Sequence, residues 1–117
     1  MKVEKAWEFS DRQTFESGRK RYNVHAAVTL AKDLPVVDMS IEQMYRAYGA
    51  PCANEFMDFV AHVRQTNDAD LNCPVLLNEE AVIIDGRHRL AKALLEGRET
   101  IKCKKFDKDP TAIFDWV

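Results

Sequence analysis

Cysteine is scarce: Cys52, Cys73 and Cys103 are odd in number and far apart, with no Cys-x-x-Cys pair and no histidine at ligand spacing. That pattern argues against a disulfide framework and against a zinc site, and it fits a compartment that keeps thiols reduced. No apolar run approaches membrane-spanning length, and neither a signal peptide nor a lipidation motif is seen. The chain is therefore expected in the cytoplasm, away from membranes. Glycine and proline number four each, too few and too scattered to form an interior linker, and repeats and low-complexity tracts are absent. An excess of positive charge is missing as well. With a net charge of −2, nothing draws the whole molecule to nucleic acid, so any polyanion site must be a local patch. No aromatic residue is interleaved with the basic clusters, as a single-strand binder requires.

What is present fits one domain. A chain of 117 residues, 46% hydrophobic and 31% charged, can bury one real core but not two independent ones. Basic residues gather at Arg19-Lys20-Arg21, at Arg87-His88-Arg89 with Lys92, and at Lys102, Lys104 and Lys105. The second cluster sits in the most informative stretch, residues 81–95. Ala-Val-Ile-Ile fits a buried strand, and the spacing Leu90/Leu94 and Ala91/Leu95 fits a helix with one apolar face. Between them, Asp85 can cap the helix and Gly86 can turn the chain tightly. Two guanidinium groups and an imidazole then fall in the first helical turn, where unpaired N–H groups and the helix dipole are already positive. Such cations are repelled by up to ~1 kcal/mol unless an anion joins them, and a phosphate would reverse the sign.

The rest of the chain reads as an alternation of short elements. Val3, Trp7 and Phe9 share one side of a period-2 pattern, and Ser10 with Gln13 forms a capping-box pattern that predicts a helical turn ending near Gly18. Asn23 caps a clearer helix, with Val24, Ala27, Val28 and Ala31 on one stripe, until Pro35 forces Leu34 into extended backbone. A strand is expected over 34–39. Ser40 and Gln43 then open a helix carrying Ile41, Met44, Tyr45 and Tyr48, and from Asn54 to about Gln65 the spacing of Phe56, Phe59, Val60 and Val63 predicts a helix with an inward apolar stripe. Residues 74–77 and 81–84 flank a short polar turn and read as a hairpin. The helix after Arg89 stops at Gly97, and residues 100–104 alternate apolar and basic as a half-buried strand does. A strand, helix and strand in that order predict a right-handed crossover between parallel strands. Asp109 and Pro110 are expected to cap a short terminal helix that docks Ile113, Phe114, Trp116 and Val117. The fold class is α/β of the α+β kind, a small mixed sheet flanked by helices. Residues 1–33 form a helical extension packed on the same domain, and residues 34–117 form the domain proper.

Residues 74–103, with Pro74-Val-Leu-Leu, Asn-Glu-Glu, Ala-Val-Ile-Ile-Asp-Gly-Arg-His-Arg and Arg98-Glu-Thr-Ile-Lys-Cys, resemble the ParB/sulfiredoxin superfamily. Leu34-Pro-Val-Val-Asp-Met-Ser-Ile-Glu-Gln43 is similar to that family's first strand and following turn. The resemblance covers roughly residues 34–106, and its specific signature is the Gly-x-x-Arg turn. It implies a ParB/sulfiredoxin-like fold whose turn holds the phosphates of ATP or CTP with Mg²⁺. By position, Gly86 would admit the phosphate, and the N–H groups of Arg87 and His88 with the Arg89 side chain would bind its oxygens. Sulfiredoxins place a cysteine where this chain has Arg87, so repair of peroxiredoxins is not expected. Segregation proteins of the ParB type read a DNA site with a helix-turn-helix region that follows this domain, so site-specific DNA reading is not expected of these residues alone.

Turnover of the nucleotide, by hydrolysis or phosphoryl transfer, would need a carboxylate for magnesium or for general base work. Glu42 and Asp85 are the candidates, against helix capping as the plain alternative for both. His88 is a candidate to touch phosphate or to act as a general acid, against a structural hydrogen bond. His25 and His62 read as structural or surface residues. Two other functions stay open: a DNA-binding or nuclease-like accessory protein whose turn takes a backbone phosphate, and a non-catalytic domain that meets a protein partner.

Overall fold

The computed structural model describes residues 13–44 and 55–117. It is an α+β fold with two sheets. The larger sheet has the order β3-β6-β4-β5, from Val37–Ser40 (β3), Thr100–Lys105 (β6), Val75–Leu77 (β4) and Ile83–Asp85 (β5). The smaller sheet has the order β1-β2-β7, from Thr14–Ser17 (β1), Lys20–Asn23 (β2) and Phe114–Trp116 (β7). The helices are Val24–Leu30 (α1), Phe56–Asp68 (α2) and Arg87–Leu95 (α3).

The hairpin at 74–84 forms as the sequence predicts, and its uninterrupted apolar runs have a clear cause: β4 and β5 are buried on both faces. Val75, Leu77, Ile83, Ile101 and Cys103 point to one face, where Leu90 and Ala93 of α3 and Ile41 and Met44 close a core. Leu76 and Ile84 point to the other, against Val24, Ala27 and Ala31 of the α1 region, Tyr22, Phe106 and Ile113. Asn23 caps α1 through its side-chain oxygen, which accepts from the Ala26 N–H at 2.8 Å. Leu34 is extended before Pro35, with ψ of 143°.

Several expected elements differ. The helical turn predicted to end near Gly18 is instead the hairpin β1–β2, reversed at Gly18 with φ of +60°. Its register sets Phe15 opposite Tyr22, whose rings stack at 6.1 Å, and β2 then pairs with β7 from the far end of the chain. Those cross-strand contacts outweigh a capping-box pattern that offers only a few tenths to ~1 kcal/mol. The expected terminal helix is a single 3-10 turn, Thr111–Ile113, followed by β7. Only Ile113 of its apolar set is fully buried, while Trp116 is 69% exposed. The crossover after β5 is also different. β6 lies parallel to β4, not to β5, because β4 and β5 are an antiparallel hairpin and α3 returns the chain to the end of the sheet it has just left. The helix expected from Ser40 begins as a turn at residues 42–44, and its continuation through Tyr45 and Tyr48 lies outside the described residues, as do Val3, Trp7 and Phe9. α2 forms close to the predicted place, but its stripe does not face a core: Phe56 and Phe59 are 77% and 56% exposed, and Ala61 is its buried residue.

The two sheets are joined by a polar network. Asp109, with a fully buried side chain, accepts from Tyr22 Oη at 2.5 Å, from the Glu79 N–H at 2.9 Å and from Lys20 Nζ at 3.1 Å. Asn78 Nδ2 donates to Tyr22 Oη at 3.0 Å, while its carbonyl oxygen accepts from the N–H groups of Glu80 and Val82 and shapes the β4–β5 turn. Lys20 also pairs with Glu79 at 2.7 Å and lies over the Phe114 ring at 4.5 Å. Asp109 is thus the anchor between the sheets, not the helix cap its position before Pro110 predicts.

Candidate functional site

The stretch 85–89 joins β5 to α3 at one edge of the larger sheet. Gly86, not Asp85, occupies the cap position, with φ of +116° and no side-chain cap on the helix. The first intrahelical bond runs from the Leu90 N–H to the Gly86 carbonyl at 3.1 Å, so the amides before it face the helix end rather than its interior. No acidic residue lies in this first turn. Gly86 is required twice over. Its backbone is left-handed, and an added Cβ would stand 3.1 Å from Val75 Cγ2 and 3.2 Å from Val75 Cα, so the turn packs directly on β4.

Arg89 does not reach outward as the resemblance implies. Its Nη1 donates to the Pro74 carbonyl at 2.5 Å and its Nη2 pairs with Asp85 at 3.3 Å, both side chains being about four-fifths buried. The guanidinium therefore braces the open end of the β4–β5 hairpin and adds its charge to the turn from behind. Asp85 is held in that brace. Lys92, one turn further along α3, donates to the carbonyls of Asn67 and Ala69 and so caps the end of α2. Arg87 is exposed, with its guanidinium carbon 4.8 Å from the centre of the Phe15 ring.

His88 is half-buried and faces α2, where its Nε2 lies 2.9 Å from Nδ1 of His62. Burial, His62, Arg89 and Arg87 all disfavour charge on His88 and lower it from the ordinary imidazole value, with Asp85 opposing them. His62 is the partner that sequence reasoning missed. Only its helical position was legible, since the contact spans 26 positions and depends on how two helices pack.

Glu42 follows β3 at the same end of the sheet as Gly86, but at the opposite edge, with β6 and β4 between them. The structure brings Asp85, Gly86, Arg87, His88 and Arg89 together and leaves Glu42 apart from them. Among the described residues, no group of three or more His, Cys, Asp or Glu is placed to hold a metal ion. A cavity of about 210 Å³ borders the brace, lined by Val28, Ala31, Cys73, Asp85, Arg89 and Lys104 among others. No helix of the described residues is long and apolar enough to cross a membrane.

Comparison with known proteins gives no relative: the chain matches no family model, no curated protein and no solved structure.

Proposed function

We propose that the chain is a ParB-like nucleotide-binding domain that grips the phosphates of ATP or CTP at the first turn of α3. The observation that carries this reading is the start of α3. It opens on a left-handed glycine without a side-chain cap, has no acid in its first turn, and collects Arg87, His88 and Arg89 there. The first-turn N–H groups, the helix dipole and the positive side chains beside them all favour an anion at this place. Arg87 and the first-turn amides would make the direct contacts. Arg89, braced against Pro74 and Asp85, would contribute its field and hold the turn in shape. Mg²⁺ would arrive on the phosphate oxygens, as it does where protein carboxylates are few. Breaking a phosphate bond would require a carboxylate beside it. Asp85 is the acid of the turn, and Arg89 occupies it.

A thermal-shift titration of the whole chain with ATP, CTP and GTP, each with Mg²⁺, tests the reading. One nucleotide should raise the melting temperature, by an amount equivalent to ~2.7 kcal/mol at a hundredfold excess over Kd. Arg87→Ala should abolish the rise without lowering the starting temperature much. Absence of any shift at millimolar nucleotide would remove the proposal. If duplex DNA binds instead, with affinity falling steeply as salt rises, the turn holds a nucleic-acid backbone phosphate.

A further inference from the structure

α2 is held on the body by little apolar contact. Ala61 is its buried residue, and Phe56, Phe59 and Val63 are exposed. Among the described elements, α2 packs chiefly on α3. Among the described residues, polar links cross that seam at Lys92, by the C-terminal end of α2, and at the His62–His88 pair in its middle.

The geometry of the pair is specific. The rings are inclined by only 19°, with centres 5.2 Å apart and facing nitrogens 2.9 Å apart. The centres are farther apart than the nitrogens by about the two ring radii, so the imidazoles meet edge to edge in nearly one plane. This is an N–H···N hydrogen bond, with one nitrogen donating and the other accepting. One added proton can be taken at a distal nitrogen, leaving the bond intact as a charge-assisted one. A second added proton removes the acceptor. Both facing nitrogens then carry hydrogen, and two cations stand head-on at hydrogen-bond distance.

Most of the surroundings oppose that doubly charged state. Arg87 and Arg89 flank His88 on α3, and the Asp85 carboxylate of β5 is already paired with Arg89. Against them stands the exposed Asp58, one turn before His62 on α2. The strands beneath α3 offer no counter-charge to the seam: β4 presents Val75 and Leu77, and β6 presents Ile101 and the Cys103 thiol, which burial pushes up to about 11. Lys104 and Lys105 are turned to backbone carbonyls of Ala31, Lys32 and Phe106.

We propose that the His62–His88 pair is a proton-operated latch, which holds α2 on α3 while it carries no more than one added proton and lets α2 go when both imidazoles are charged. The latch does not rest on what the turn binds. His88, on which charge is disfavoured, sets its working range below the ordinary imidazole value of ~6.5. The sign is fixed by linkage: charge on His88 is disfavoured in the folded arrangement, so the released arrangement binds more protons and gains as pH falls. Release would bare the α3 face of α2 and open the side of the turn at His88.

Residue-resolved amide exchange on the full chain, expressed as protection factors between pH 7.5 and 5, is the test. Amides of α2 should lose at least tenfold in protection across that range, while those of β4 and β6 keep theirs. Two variants keep a hydrogen-bonding atom near each nitrogen but cannot take the proton: His62→Asn replaces Nδ1, and His88→Gln replaces Nε2. In either, α2 should lose its pH dependence. Equal behaviour of α2 and β6 in the unaltered chain would overturn the latch, and so would a loss that persists in both variants.

Discussion

The two ends of the β4–β5 hairpin solve the same problem, polar groups beside a core, in opposite ways. At the turn end, Asp109, Tyr22, Asn78 and Lys20 close a network in which the carboxylate is fully buried and accepts three hydrogen bonds. At the open end, Arg89 ties Pro74 to Asp85, and the first turn of α3 still gathers cations with no acid among them. The turn end is satisfied by its own atoms, which is the mark of a structural anchor. The open end is braced by Arg89 against Pro74 and Asp85, and on the proposed reading a ligand's phosphates would meet the cations gathered there. The same contrast appears in charge states. Burial alone would raise the Asp109 carboxyl, but the Tyr22 hydroxyl, the Glu79 N–H and Lys20 together hold it below the ordinary carboxylate value. Burial and the Asp109 bond push the Tyr22 phenol up to about 12. At the open end, by contrast, burial and neighbouring cations press His88 toward its neutral form.

The largest expected effect breaks the turn end. Asp109→Ala should cost about 3 kcal/mol in urea denaturation, because it leaves the buried Tyr22 hydroxyl and the Glu79 N–H without their acceptor and Lys20 with Glu79 alone. Acid should separate the two ends along the pH axis. The folded Asp109 carboxyl is depressed, so its stabilisation is complete above the unfolded value of ~3.9 and is lost as pH falls below it. The seam at His88 should respond earlier, below the ordinary imidazole value of ~6.5. Urea midpoints at pH 7, 5 and 3 check this. Asp109→Asn should flatten the step between pH 5 and 3 and leave the step between pH 7 and 5, whereas loss of both steps together would mean that the ends are not independent.

A pair of mirror-image substitutions comes next. Gly86→Ala should destabilise by about 2 kcal/mol, since its left-handed φ is unfavourable for alanine and the new Cβ meets the Val75 backbone, which cannot give way. Ala81, at the turn end, has φ of +62° although it is not glycine. There Ala81→Gly should stabilise by roughly 0.5 to 1 kcal/mol, as left-handed strain is relieved. Thermal melts of the two variants should therefore move in opposite directions.

How much of this was legible follows from how far each feature reaches along the chain. The hairpin at 74–84, the turn at Gly86 and the end of α3 at Gly97 are set by neighbours within a few residues, and the sequence pattern placed them. The charge conflict at the start of α3 was legible for the same reason. β1 was not, because a strand there depends on pairing that leads to Phe114, more than ninety positions away. Nor was the role of Arg89 as a brace, which requires the Pro74 carbonyl to return beside it. Asp109 looked like a helix cap because Asp-Pro caps helices locally, and only the closure of the two sheets shows that Tyr22, Lys20 and Glu79 converge on it. His62 had no visible partner until α2 and α3 were packed.

The smallest expected effect concerns the stripe of α2, where pattern and burial disagree most. Phe56, Phe59 and Val63 recur at helical spacing, which by periodicity alone marks an inward face. In the fold they are exposed, and the rings of Phe56 and Phe59 meet each other, with centres 6.3 Å apart. If the stripe were core, Phe59→Ser would cost the 3 kcal/mol or more typical of emptying an aromatic site. Because the ring is already largely in water, the cost should stay within about 0.5 kcal/mol, offset in part by better solvation of the folded state. A urea midpoint for Phe59→Ser close to that of the unaltered chain would confirm that α2 is held through its α3 side. A large loss would mean that the stripe packs on something, and the seam at His62 and Lys92 would no longer be what holds the helix.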